Sequence, residues 1–367
     1  MYKSKCVKLT APIEVGPVVL PNRISVPPMC MYSAKSGVAQ TFHIVHYGHL
    51  AMSGAGSIVI EATAVTPEGR ISPYDLGLWS DEAEAGIARI VSTMKEMNPN
   101  VKVFIQLNHA GRKACIQGFS SRPVEKKDGA WVPVAPSALA FDPDHQVPRE
   151  LSSDECGELV EAFAAAARRA VRAGVDGIEI HAAHGYLIHQ FLSPITNKRS
   201  DEFGGDLEGR MNFACRTIDA VKRVVDESGR PVAVGLRVSA TDWVEEGWTL
   251  EETIKLAQEA EKRGCCFIDV SSGGLIPKAP IPVAVGYQLN LADSVRKACS
   301  MAVFTVGLVG TAREAELALQ IGAADVVDVG RASIDSPMWG WHAYQDLGRA
   351  PDETFPLPPQ YGRCIRF

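Results

Sequence analysis

No stretch of the chain approaches 18 uninterrupted apolar residues, so no membrane-spanning helix is expected and no membrane partner is implied. The amino end carries Lys3, Lys5 and Lys8 but no apolar segment behind them, which argues against an export signal and for a cytoplasmic protein. Nine cysteines are scattered with no Cys-x-x-Cys pair, so a zinc ribbon or an iron–sulfur cluster on clustered thiolates is disfavoured and reduced thiols are expected. A net charge of −6 without a basic run leaves no electrostatic footprint for nucleic acid. No Gly-x-Gly-x-x-Gly follows the first apolar run, which removes the main support for a dinucleotide-binding doubly wound sheet.

What is present is a regular alternation. The 367 residues are 46% hydrophobic with 32 glycines, enough for a large core as two domains or one α/β barrel. β-branched, apolar runs at 24–26, 56–63, 101–107, 177–181, 232–238, 267–271, 303–306 and 325–329 read as eight strands. Helical patterns lie between them, at 153–173, 250–263 and 311–321, the last opening on a Thr311-Ala-Arg-Glu314 capping box. Eight β/α repeats favour closure into a single (β/α)8 barrel domain spanning residues 1–367. Two segments break the pattern. Residues 117–136, rich in Gly, Ser, Pro and charge, form a long excursion after strand three and read as a lid or rim over the barrel mouth. The tail 350–367 holds too many prolines for a helix, yet keeps Phe355, Tyr361, Arg363 and Phe367, and is expected to dock on something.

A barrel keeps its chemistry at the carboxyl ends of its strands. There the sequence places His181-Ala-Ala-His184-Gly-Tyr186 after strand four, Gln106 in strand three and Arg237 in strand five. Two imidazole N–H groups suit one carbonyl oxygen, and a phenol nearby suits proton delivery. An isolated His-x-x-His pair is more often a metal site or structural, but Gln106 and Arg237 are poor metal ligands. Gly307 and Gly330-Arg331 follow strands seven and eight, where such barrels build phosphate cradles.

Pro27-Pro-Met-Cys-Met-Tyr32, Glu61-Ala-Thr-Ala64, Gly69-Arg-Ile71, Gln106-Leu-Asn-His-Ala-Gly-Arg-Lys113, Ala135-Pro-Ser-Ala138, the His181–Tyr186 run, Asn197-Lys-Arg-Ser-Asp-Glu-Phe-Gly-Gly205, Arg237-Val-Ser-Ala240 and Gly330-Arg331 stand in one order. In that order the chain resembles the old yellow enzyme family. It looks like the cysteine-bearing bacterial-type subclass of flavin-dependent ene-reductases, which includes the xenobiotic reductases. The resemblance implies non-covalent FMN, with NADPH or NADH as reductant and enones or nitro compounds as substrates. It implies Pro27, Pro28, Met29 and Cys30 along the flavin ring, and Ala62 and Gln106 at its polar edge. Arg237 is implied beside N1 and O2 with Lys113 assisting, and Gly307, Gly330 and Arg331 at the phosphate. His181 and His184 are implied to grip the substrate carbonyl, Tyr186 to donate the proton, and Tyr32 to touch the substrate. Cys30, on bare residue statistics a small buried hydrophobe, is implied to adjust the flavin rather than to act as a nucleophile.

By the same resemblance hydride passes from nicotinamide to flavin N5 and on to the β-carbon, with anti addition. Arg363 is implied to reach a neighbour's site in a homodimer or homotetramer. Cys364 stands where some relatives carry tryptophan. Without the iron–sulfur segment and nucleotide domains of larger relatives, electrons are expected directly from the nicotinamide.

Overall fold

The computed structural model describes residues 7–367; Lys3, Lys5 and Cys6 lie outside the described residues. All eight expected strands form. They are β1 (Ile24–Val26), β2 (Ser57–Ala64), β3 (Lys102–Asn108), β4 (Gly177–Ala182), β5 (Ala233–Ser239), β6 (Phe267–Ser271), β7 (Ala302–Thr305) and β8 (Val326–Asp328). Every neighbouring pair is parallel, and β8 returns to β1 to close the barrel. Among the described residues no helix is long and apolar enough to cross a membrane.

Side-chain alternation builds the wall and the interior at once. Ile105, Ile178, Leu236 and Ile268 point outward under the helices, while Phe104, Ala233, Phe267, Phe304, Val59 and Val326 fill the amino-terminal half of the lumen. A hairpin of Ile13–Val15 and Val18–Leu20 plugs that end with Val15, Val18 and Leu20. The lumen changes character one pleat higher, where Ser25, Gln106, Glu179, Arg237, Asp269 and Asp328 are all buried.

Sequence capping signals are met. The helix Ser153–Ala173 starts on a Ser152/Glu155 capping box and ends at Gly174 with φ +95°. Helices Leu250–Lys262 and Ala312–Gln320 carry capping boxes from Thr249/Glu252 and Thr311/Glu314.

The excursion is irregular, with short 3-10 turns at Gly118–Ser120 and Lys126–Asp128 and a two-residue pairing of Val134–Ala135 with Arg149–Glu150. It is a seated rim. Trp131 donates from Nε1 to the Glu68 carbonyl at 2.9 Å, and Phe119 sets its edge against Tyr32 with ring centroids 4.9 Å apart. The tail docks first on its own chain. Phe355 is buried and stacks on Trp341 at 5.3 Å, and Gln345 Nε2 holds the Arg366 carbonyl at 2.7 Å. Phe355 is therefore no free anchor for a neighbour, which leaves Tyr361, Arg363 and Phe367.

The aromatic layer runs Phe104–Phe267–Phe304 at 5.4 and 5.3 Å between centroids. Phe104→Ala is expected to cost about 3–5 kcal/mol, read as a lower denaturant midpoint with an unchanged slope.

Candidate active site at the carboxyl end of the barrel

After β4 the chain must turn at once to put two imidazoles over the lumen, and it does so at a conformational cost. His184 has φ +58° and Gly185 φ +74°, the first a left-handed position that disfavours a side chain. The turn lies so close to Gly274 that a Cβ on Gly274 would sit 2.7 Å from the His184 backbone, and one on Gly185 2.3 Å from the Gly274 carbonyl oxygen. Three side chains hold it. Lys113 Nζ donates to the carbonyls of His184 at 2.9 Å and Gly274 at 3.0 Å, and His184 N–H donates to Ser239 Oγ at 2.9 Å. Gly185 N–H donates to His189 Nδ1 at 2.9 Å, and His189 Nε2 lies 2.9 Å from Asp242 Oδ1, both side chains fully buried. Asp242 in turn accepts from Ser193 Oγ and the Trp248 N–H, each at 2.7 Å.

The turn brings the catalytic candidates together. The His181 ring lies 5.2 Å from that of His184 and 4.9 Å from that of Tyr186, centroid to centroid. Burial, then the Arg237 charge, push both imidazoles well below their usual pKa, so both are neutral. Burial pushes the Tyr186 phenol well above its usual range, so it keeps its proton. Ala183 N–H donates to His181 Nδ1 at 3.3 Å, which leaves the proton of this neutral ring on Nε2. His184 differs from the simple two-donor expectation: its Nε2 is 2.8 Å from Ser271 Oγ. A substrate oxygen gripped by both rings must share that nitrogen or meet the other one.

Gln106 and Arg237 reach the same lumen. Gln106 donates to Glu179 Oε1 at 2.7 Å, and Arg237 Nε pairs with Asp269 Oδ2 at 2.8 Å. The terminal guanidinium nitrogens of Arg237 make no hydrogen bond to a described residue, although the side chain is buried. Lys113 braces the turn that carries the imidazoles. Its ammonium is spent on two carbonyls and lies 5.2 Å from the Tyr186 ring centroid.

The loop after β1 carries Pro27, Pro28, Met29, Cys30 and Tyr32 up one side. A bulge in β2 between Ile60 and Thr63 shifts the register at Glu61 and Ala62. Glu61 accepts from the Met31 N–H at 3.1 Å and the Tyr47 hydroxyl at 3.0 Å, while Ala62 lies in an apolar cluster with Ile71 that Cys30, Tyr32 and Tyr186 pack against. Burial raises the Cys30 thiol, and nearby Asp75 and Glu61 add to it, so it is no thiolate nucleophile.

On the far side Gly307 has φ +141° and lies beside Gln288, whose Nε2 donates to the Val306 carbonyl at 2.8 Å. A Cβ on Gly330 would stand 3.3 Å from Met29 Sδ, so the loops after β1 and β8 meet there. Arg331 is exposed with no hydrogen bond or ion pair to a described residue, and Arg363 is exposed at the tail. A groove of about 700 Å3 on the outer wall, between helices Leu207–Ser228 and Leu250–Lys262, contains none of these groups.

Sequence reasoning overlooked His189, Asp242, Ser239, Ser271 and Gln288, which support the site. They are single polar residues in apolar or loop contexts, and only chain packing brings them to it. Ser239 and Glu61 stand inside the Arg237–Ala240 and Glu61–Ala64 motifs, but the hold of Ser239 on His184 follows from packing and that of Glu61 on Met31 from the bulge.

A family model described as NADH:flavin oxidoreductase / NADH oxidase matches residues 8–349. The chain is 42% identical over 358 residues to a NADPH dehydrogenase of Bacillus subtilis (strain 168), covering 97% of this chain and 98% of that protein. Among solved structures it is similar to morphinone reductase in complex with tetrahydroNAD, with TM-score 0.76, 27% identity and coverage of 98% and 97%. It is also similar to the old yellow enzyme homologue from Zymomonas mobilis, with TM-score 0.75, 26% identity and coverage of 98% and 99%.

Burial raises Glu61 to about 8. The native state thus keeps a proton that the unfolded chain releases near pH 4.5, so this contribution to stability is full below that pH and is lost as pH rises toward 8. Glu61→Gln keeps an acceptor for the Met31 N–H, and is expected to flatten the fall of unfolding temperature across pH 5–8. An unchanged slope would show that Glu61 does not titrate there.

Proposed function

Because the chain belongs to the NADH:flavin oxidoreductase / NADH oxidase family, whose members work with FMN and a reduced nicotinamide, we propose that it is an ene-reductase. It reduces the activated double bond of α,β-unsaturated carbonyl compounds, and nitro compounds as well, using NADPH or NADH. The observation that carries the reading is the closely packed set of two neutral imidazoles and a protonated phenol above a buried arginine.

The chamber fits FMN. Arg237 offers its two terminal guanidinium nitrogens, which no described residue engages, to an electron-rich ring edge, with Gln106 and Ala62 alongside. Pro27, Pro28, Met29 and Cys30 supply an apolar flank for the ring. Gly307 and Gly330 leave backbone bare of Cβ, and Arg331 stands free for a phosphate. FMN held there would supply hydride transfer from the reduced nicotinamide to the substrate β-carbon.

This chain's side chains do the rest. His181, through Nε2–H, and His184 donate to the substrate oxygen as it takes up negative charge. Fixed donors in a dry site act on charge that develops only in the transition state. Tyr186 gives its proton to the α-carbon, and Tyr32 with Phe119 bounds the entrance. The Lys113 ammonium near the Tyr186 ring favours the phenolate left behind. Arg363, with Tyr361 and Phe367 exposed or half-exposed at the tail, reaches a second copy of the chain in a two-fold assembly.

His184→Ala is expected to retain FMN and lower kcat/KM for cyclohexenone by about 100-fold, near 3 kcal/mol of transition-state stabilisation. Normal turnover in a variant that binds FMN poorly would reverse the assignment. In stopped flow, Tyr186→Phe is expected to leave reduction by NADPH near normal and slow reoxidation by an enone about 10²-fold; equal slowing of both halves points to a structural tyrosine. Removal of residues 360–367 is expected to shift light-scattering mass and enone KM together, whereas a full-length monomer with dilution-independent turnover contradicts the shared site.

A further inference from the structure

Beneath the chamber the charges do not balance. Glu179, Asp269 and Asp328 are 0–2% exposed, and Arg237 is the single guanidinium among them. The strands set this arrangement, since Arg237 is in register with Asp269, Glu179 with Gln106, and Asp328 with Ser25. Glu179 takes a hydrogen bond from Gln106, whereas Asp269 is held by charge, its Oδ2 in an ion pair 2.8 Å from Arg237 Nε without hydrogen-bond geometry. Asp328 lies against Asp269, with Ser25 as its neutral neighbour, and its Oδ1 receives no donor. Above the layer stand His181 and His184, both neutral, with Lys113 and Tyr287 farther away. If all three acids were ionised, the floor would carry two net negative charges in a water-poor lumen, beside a group that gains negative charge with each hydride. Two abutting carboxyls in such a place do not both ionise.

We propose that Asp328 is a positioning residue for the redox step: it stays protonated beside the Arg237–Asp269 pair, so that the arginine faces the cofactor with its charge balanced by its ion-pair partner and not overwhelmed by a further carboxylate. Burial and the neighbouring Asp269 both favour this state. Asp269 is then the ionised partner that tempers Arg237, and Asp328 the acid that shares its proton with it. The proposal rests on the placement of the flavin against Arg237.

The test compares Asp328→Asn with Asp269→Asn in the FMN-loaded enzyme, by spectroelectrochemical midpoint potential and by unfolding temperature from pH 5 to 9. The amide copies a protonated acid, so Asp328→Asn is expected to keep the pH 7 potential within about a threefold change of the oxidised-to-reduced ratio. Asp269→Asn removes a real negative charge and is expected to favour the reduced form about tenfold, about 30 mV upward for a two-electron couple. The native proton on Asp328 is shed on unfolding, so stability falls as pH rises above the ordinary aspartate range. Asp328→Asn is expected to lose that fall and to gain over the wild type increasingly toward pH 9. A potential shift by Asp328→Asn as large as that of Asp269→Asn, or loss of the folded protein, overturns the proposal. If neither variant moves the potential while the stability profile changes as stated, the proton is confirmed and the placement of the flavin fails.

Discussion

The site depends on one strained turn. His184 occupies a left-handed backbone position, a conformation that costs of order 1–3 kcal/mol unless its surroundings fix it. The surroundings do so from three strands: Lys113 after β3, Ser239 at the end of β5 and Gly274 after β6 all contact the turn. Bare glycines let the two loops touch, and the half-buried Lys113 ammonium ties their carbonyls. The arrangement explains why a cation sits under Tyr186 without a carboxylate partner. Its hydrogen bonds are consumed in holding the backbone that carries the imidazoles.

Function and stability are separated along the barrel axis. The amino-terminal half of the lumen is aromatic and dry, closed by the hairpin plug, and pays for the buried charges one pleat above. Removing those charges from water is costly, and raised carboxyl pKa values are the visible consequence at Glu61, Asp75 and Glu179. Such perturbed groups gather at functional ends of folds. Here they lie beneath and beside the chamber that a flavin oxidoreductase requires.

Much of this was legible in the sequence, for identifiable reasons. The eight strands announce themselves because both faces of a closed parallel barrel are covered, which gives apolar runs such as Val101–Leu107. Helix ends follow from capping residues such as Thr311 and Glu314. The His181–Tyr186 set is readable because its residues are adjacent in the chain. Long-range partners were hidden: Asp242 reaches Gly185 only through His189, and Asp269 reaches Arg237 only through strand register. Lys113 is implied at the cofactor by resemblance alone, and its bonds to the His184 and Gly274 carbonyls join loops that only the fold brings together. The tail was expected to dock on something, and Phe355 docks on the Trp341 ring of its own chain, a contact between residues that only the fold brings together.

The central claim is that the neutral His181 and His184 polarise a substrate carbonyl. Infrared difference spectra of the oxidised FMN enzyme with isotope-labelled cyclohexenone report this directly, since hydrogen bonding to the oxygen weakens the C=O bond. The carbonyl band is expected to move to lower wavenumber on binding, and to return most of the way in a His181→Ala, His184→Ala double variant that still binds the ligand. A bound carbonyl band at the same frequency in both proteins contradicts the account.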